Sequence, residues 1–132
     1  MSAGFEEIEN EHGEVIRYRK HANGKGFVAS GAKVHATAFI QSLAYVEPGA
    51  EIGAGAWVGA GSWIDRGVLV GALTRIGANV HVGHDARVGR DVHIGSHSRI
   101  APAVTIGNGA RVPNDTQIMR DVVAGEPFAK AA

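Results

Sequence analysis

Apolar residues in this chain recur every six positions, which is neither a helical rhythm nor the alternation of a long strand. From Val28 onward every sixth residue is Val or Ile: Val28, Val34, Ile40, Val46, Ile52, Val58, Ile64, Val70, Ile76, Val82, Val88, Ile94, Ile100, Ile106, Val112 and Ile118. Two residues earlier the chain carries mostly small or branched residues, among them Ala38, Ala50, Ser62, Thr74, Val80 and Ala110. In an extended segment i and i−2 share a face, so each hexad turns one small and one branched side chain inward. The pattern predicts a very short strand in each hexad, then a corner, repeated into a coil that winds upward. Glycine follows the branched residue at Gly53, Gly59, Gly71, Gly77, Gly83, Gly89, Gly95 and Gly107. There it is expected to turn the corner at low steric cost. No insertion interrupts the hexads between Val28 and Ile118, so no long loop is expected to project.

The flanks read differently. Phe5 to Tyr18, centred on Glu11-His12-Gly13-Glu14, reads as a hairpin or irregular strand pair, and His21 to Gly26 as a turn-rich approach. The expected organisation is a cap over residues 1–26, a repeat body over 27–120 and an exit tail over 121–132. The ends of a coil expose unpaired backbone and need such covers.

Composition narrows the function. The length of 132 residues suits one domain. Thirteen basic and thirteen acidic side chains cancel, which argues against a general nucleic-acid binder. The chain has no cysteine, excluding disulfides, thiolate-bound zinc and thiol chemistry. No apolar run approaches the ~20 residues of a membrane helix, and Met1 to Asn10 is acidic rather than signal-like. No membrane partner and a cytoplasmic location are therefore expected. Glycine, at 19 residues, is about twice its usual share, as repeat proteins often show.

The hexads resemble those of the hexapeptide-repeat family. The resemblance implies an all-β fold, a left-handed parallel β-helix with three hexads per triangular coil. Sixteen hexads then make about five coils rising about 25 Å at strand spacing. A prism this slim has little interior, and the resemblance implies a homotrimer.

With three hexads per coil, residues 18 apart stack. One outward column reads Phe27, Tyr45, Trp63, His81, Arg99, Gln117; another reads Phe39, Trp57, Arg75, His93, Arg111. Both run from aromatic to cationic, which suits a subunit interface or a cleft with aromatic and basic walls. Between Asp65 and Arg120 there are seven Arg against four Asp, a surplus fitted to phosphate.

Histidines His81, His84, His93 and His97 cluster beside Asp85 and Asp91. A corner histidine beside a carboxylate suits a general base near neutral pH. The stretch Asn79-Val80-His81-Val82-Gly83-His84-Asp85-Ala86-Arg87-Val88-Gly89 resembles the catalytic segment of the acyl-carrier-protein-dependent acyltransferases of lipid A synthesis. Ser62-Trp63-Ile64-Asp65-Arg66-Gly67 is similar to a motif upstream of it in the N-acyltransferase branch. The resemblance implies that His84 deprotonates the acceptor, with His81 beside it and Asp85 at the acceptor, in a site between two subunits. The ending Asp121-Val122-Val123-Ala124-Gly125-Glu126-Pro127-Phe128-Ala129-Lys130 resembles the V-V-A-G-x-P-A-K close of acetyl-CoA-dependent hexapeptide transferases, with Phe128 inserted. It implies that Lys130, with Arg99 and Arg111 of the upper coils, meets the phosphates of acetyl-CoA as co-substrate.

One coil after His84 stands Pro102, where the family has a glycine whose N–H helps hold the oxyanion; proline has none. Two functions are therefore carried forward. One is transfer of an acyl group, acetyl from CoA, to a hydroxyl or amine of a small sugar-like acceptor. The other is a non-catalytic trimeric β-helix, structural or binding a small anion. The γ-class carbonic anhydrases share the fold with a three-histidine zinc site, but their second histidine, five after the first, is Gly89 here. No metal is expected.

Overall fold

The computed structural model describes residues 5–9 and 13–123. It is all-β: a left-handed parallel β-helix of about five coils. The first face stacks β3 (Phe27–Ala29), β6 (Tyr45–Val46), β9 (Trp63–Ile64), β12 (His81–Val82), β15 (Arg99–Ile100) and β18 (Gln117–Ile118). The second stacks β4 (Lys33–Val34), β7 (Glu51–Ile52), β10 (Leu69–Val70), β13 (Arg87–Val88) and β16 (Thr105–Ile106). The third stacks β5 (Phe39–Ile40), β8 (Trp57–Val58), β11 (Arg75–Ile76), β14 (His93–Ile94) and β17 (Arg111–Val112). Pairing is parallel with a register of 18 residues, as in Trp63↔His81 and Arg75↔His93.

The inward pair of each hexad makes a single core. Ile40, Val46, Val58, Ile64, Ile76 and Val82, with Ala38, Ala44, Val68 and Ala86 from the column two residues earlier, are fully buried. Three of the fully buried inward residues are hydroxylic, and each bridges two coils. Thr74 Oγ1 donates to Gly89 O at 2.6 Å and accepts Val92 N–H at 3.2 Å. Ser62 does the same with Gly77 O and Val80 N–H, and Ser98 with Pro113 O and Thr116 N–H. Thr74→Val keeps the shape but orphans a buried N–H and C=O, so chemical denaturation should show a loss of about 1–3 kcal/mol. An unchanged midpoint would contradict this role for the hydroxyl.

The glycines that follow the branched residues do not make the bend. Positive φ occurs two residues later, at Gly49, Gly55, Gly61 and Gly67, and at Asn79, Asp85 and Asp91 in the upper coils. The earlier glycine is required instead by close approach of the coil above. A Cβ on Gly59 would stand 2.6 Å from the carbonyl carbon and oxygen of Gly77.

At the lower end β1 (Phe5–Glu9) and β2 (Val15–Lys20) form an antiparallel hairpin, registered Ile8↔Ile16. β2 then pairs antiparallel with β3, extending the first face to eight strands and covering the edge of the first coil. Tyr18 is buried there with Phe27 and Ala29, edge-on to Tyr45 at 5.4 Å. At the upper end Val122 bridges Ile106 in parallel. Most of the expected exit tail, from 124 onward, lies outside the described residues.

Candidate functional site

The corner between the first and second faces stacks Arg66, His84, Pro102 and Arg120, each two residues after an inward branched residue. His84 and Asp85 both stand in solvent, with side chains 58% and 71% exposed. Asp85 takes the left-handed conformation of this corner, at φ 60°. Its carboxylate occupies the space that a side chain on Gly67, one coil below, would fill. That places Asp85 Oδ2 at 3.2 Å from His84 Nδ1. Asp85 N–H donates to Arg66 O at 2.8 Å, tying the pair to the coil beneath. With Nδ1 facing a carboxylate, Nε2 is the nitrogen left to exchange a proton with a substrate.

His81 projects from β12, three residues before His84, and is less exposed. Its Nε2 lies 3.4 Å from Asp65 Oδ2, and its ring stacks on Trp63 at 4.4 Å between centroids and 10° between planes. Trp63 Nε1 donates to Glu47 Oε2 at 2.7 Å, and Tyr18 Oη donates to Glu47 Oε1 at 2.6 Å. Burial, then the Glu47 contact, raises the Tyr18 phenol far above its ordinary value. Asp65 belongs to the Ser62–Gly67 motif, whereas Glu47 belongs to none. Its one signal is an acid in the position that in eight other hexads of the chain holds glycine.

Directly above His84, residues 101–103 provide no free amide. Pro102 has no N–H, Ala101 N–H donates to Ile118 O at 2.8 Å, and Ala103 N–H donates to His84 O at 2.9 Å. Gly83 lets this coil come close, since a Cβ there would be 2.5 Å from Pro102 N. Of the expected phosphate-binding residues, Arg99 stands directly above His81 in register, and its guanidinium makes no hydrogen bond or ion pair among the described residues. Arg111 Nη1 reaches the carbonyls of Asp91 at 2.5 Å and Gly109 at 3.0 Å, so that nitrogen is engaged by backbone. Lys130 lies outside the described residues.

The third face carries the second aromatic-to-cationic column. Phe39 stacks on Trp57 at 4.3 Å, and the Arg75 guanidinium lies over the Trp57 ring at 5.6 Å. A groove of about 340 Å³ beside it is lined by Trp57, Arg75, His93 and Ser96. A larger depression, about 720 Å³, lies on the second face and includes none of His81, His84 or Asp85. Partial desolvation, then Arg111 and Arg75, lower the His93 pKa from its ordinary 6.5, with Asp91 opposing. The unfolded chain then binds a proton more readily than the folded one. This residue's contribution to stability is full above pH ~6.5 and falls as pH drops through that value. A proton NMR titration should place the His93 midpoint below 6.5, and Arg111→Gln should raise it. A midpoint above 6.5 would contradict this electrostatic account. Among the described residues no group of three His, Asp or Glu is arranged to hold a metal ion, and no helix is long and apolar enough to cross a membrane.

Comparison with known proteins bears on fold and family. Residues 67–102, which include His81, His84 and Asp85, match the bacterial transferase hexapeptide (six repeats) family model. No curated protein matches the chain in sequence. A solved structure of a mutant perosamine N-acetyltransferase from Caulobacter crescentus, with CoA and GDP-perosamine, is 26% identical with a TM-score of 0.52. That match covers 74% of this chain and 50% of the other, so this chain spans about half the length of that enzyme. AntD, an N-acyltransferase from Bacillus cereus solved with dTDP-4-amino-4,6-dideoxyglucose and coenzyme A, superimposes with a TM-score of 0.63. It is 16% identical over 80% of this chain and 78% of its own, a likeness of fold. The acetyltransferase domain of PglB from Neisseria gonorrhoeae, with acetyl coenzyme A, has a TM-score of 0.56 at 23% identity, covering 79% and 56%. The chain thus carries hexapeptide repeats that match this family model over residues 67–102, on a β-helix similar in fold to these acyltransferases.

Proposed function

We propose that the protein moves an acetyl group from acetyl-CoA to the hydroxyl or amine of a small, sugar-like acceptor, in a cleft between copies of a homotrimer. The observation that carries this reading is the His84–Asp85 pair on an exposed corner, inside the segment that matches the transferase family model. The CoA and nucleotide-sugar ligands of the perosamine enzyme support the choice of donor and acceptor class.

In this reading Asp85 holds the His84 ring with Nδ1 toward its carboxylate, and Nε2 accepts the acceptor proton as the acceptor nitrogen or oxygen attacks the thioester carbonyl. The C–S bond then breaks, the acetyl group stays on the acceptor, and the imidazolium returns its proton to the CoA thiolate. No net charge or proton is left over. His81 and Asp65 meet the acceptor, and Arg99 meets the anionic end of the donor. The oxyanion needs a donor that the amides at 101–103 do not supply, and a neighbouring subunit is the source this reading requires. The domain organisation in this reading is that of the sequence: cap 1–26, catalytic repeat 27–120, tail 121–132.

Pro102 favours a second reading, a trimeric β-helix without catalysis that is structural or binds a small anion. Release of free thiol from acetyl-CoA, followed against a panel of amino sugars and hydroxylated sugars, separates the two. Acceptor-dependent thiol release supports transfer; binding of CoA or of acceptor without release across the panel supports the second reading.

A further inference from the structure

Beyond the His84 corner, the most developed side-chain arrangement is a ladder of carboxylates and ring nitrogens on the first face. The position after each branched residue there reads Ala29, Glu47, Asp65, Gly83, Ala101, Met119. Two successive coils thus carry an acid, and each acid faces a ring nitrogen sixteen residues on. Glu47 Oε2 accepts Trp63 Nε1–H at 2.7 Å, and Asp65 Oδ2 lies 3.4 Å from His81 Nε2. The two rings are nearly parallel, with centroids 4.4 Å apart. Glu47 is 8% exposed, and its second oxygen accepts the Tyr18 hydroxyl from the hairpin. None of the ion pairs among the described residues involves Glu47.

A carboxylate buried between two neutral donors gives up hydration without gaining a cation, so an apolar filler would serve packing alone at lower cost. What it supplies is direction. An acceptor oxygen at 2.7 Å stops the indole from rotating, and a fixed indole face defines the plane of the imidazole that stacks on it. Asp65 then holds the Nε2 edge of that imidazole.

We propose that Glu47 is a positioning residue for His81, acting through Trp63, and that Tyr18 makes the β1–β2 hairpin part of the functional site rather than an end cover alone. The proposal rests on the reading above only in taking His81 to meet the acceptor. It assigns work to residues 18–63, outside the segment that matches the family model.

The test compares the His81 ring signals by ¹H–¹⁵N NMR in the wild-type protein, Glu47→Gln and Tyr18→Phe, with His93 on another face as the control. Glutamine keeps the volume but places an amide N–H₂ against one of two inward-pointing donors, so either Tyr18 or Trp63 loses its acceptor. The expected result is a displacement of the His81 signals in Glu47→Gln with those of His93 unmoved. Transfer assays on the same variant should show acceptor KM raised about tenfold with donor KM unchanged. Tyr18→Phe keeps the indole–carboxylate bond and should displace His81 less. His81 signals that superimpose on wild type in Glu47→Gln overturn the proposal. If that variant does not fold, Tyr18→Phe decides: a displaced His81 supports the ladder, and an unmoved one overturns it. Should the wild-type protein transfer no acetyl group to any acceptor, the acyltransferase reading fails, and the NMR comparison still judges the ladder by itself.

Discussion

Replacing His84 by alanine is expected to lower kcat/KM for acetyl transfer by about 10²–10⁴-fold, the usual worth of a positioned general base. The side chain is 58% exposed and among the described residues its only side-chain partner is the neighbouring Asp85, so the loss should come without unfolding. Thermal stability should stay within about 0.5 kcal/mol of wild type, as for other surface substitutions. Asp85→Asn should cost less, because the ring remains and only its orientation and the favoured tautomer are weakened. A His84→Ala protein with undiminished transfer would move the base elsewhere, and the His81–Asp65 pair would be the first place to look.

The largest effect on stability is expected from Gly59→Ala. The added Cβ would stand 2.6 Å from backbone atoms of Gly77, and backbone in the next coil cannot move aside as a side chain can. Overpacking of this kind costs about 1–3 kcal/mol, and a misfit against backbone belongs at the upper end. At about 4 °C per kcal/mol for a chain of this size, the melting temperature should fall by roughly 10 °C. Gly109→Ala is the matched control. It has φ +75° but nothing within 4 Å, so only conformational strain of about 1 kcal/mol is expected. If the two variants melt together, close approach between coils is not what keeps glycine after the branched residue.

That contrast also marks how far the sequence could be read. Hexad spacing was legible because every inward position obeys one rule, and the strands fall on Val and Ile with a register of 18 residues. The reason for the glycines was not legible. The pattern puts the corner's conformational freedom there, whereas the left-handed residue comes two positions later and the glycine is set by the coil above. Such a contact is between residues 18 apart and leaves no local trace. The His84–Asp85 pair was legible because its members are adjacent. Glu47 was not, since its partners Tyr18 and Trp63 lie 29 and 16 residues away and meet only once the hairpin has joined the first face. The engagement of Arg111 with backbone carbonyls was equally hidden, because a cation in a column looks the same whether it faces a phosphate or its own coil.

The measurement that tests acyl transfer from CoA most directly is the thermal shift of the purified protein with CoA and with acetyl-CoA, on wild type, His84→Ala and Arg99→Ala. A ligand present at about 100 times its dissociation constant adds about 2.7 kcal/mol to the folded state, a readily measured rise. The account predicts that both ligands stabilise wild type and His84→Ala alike and Arg99→Ala less. No shift of the wild-type transition by either ligand at millimolar concentration would contradict it.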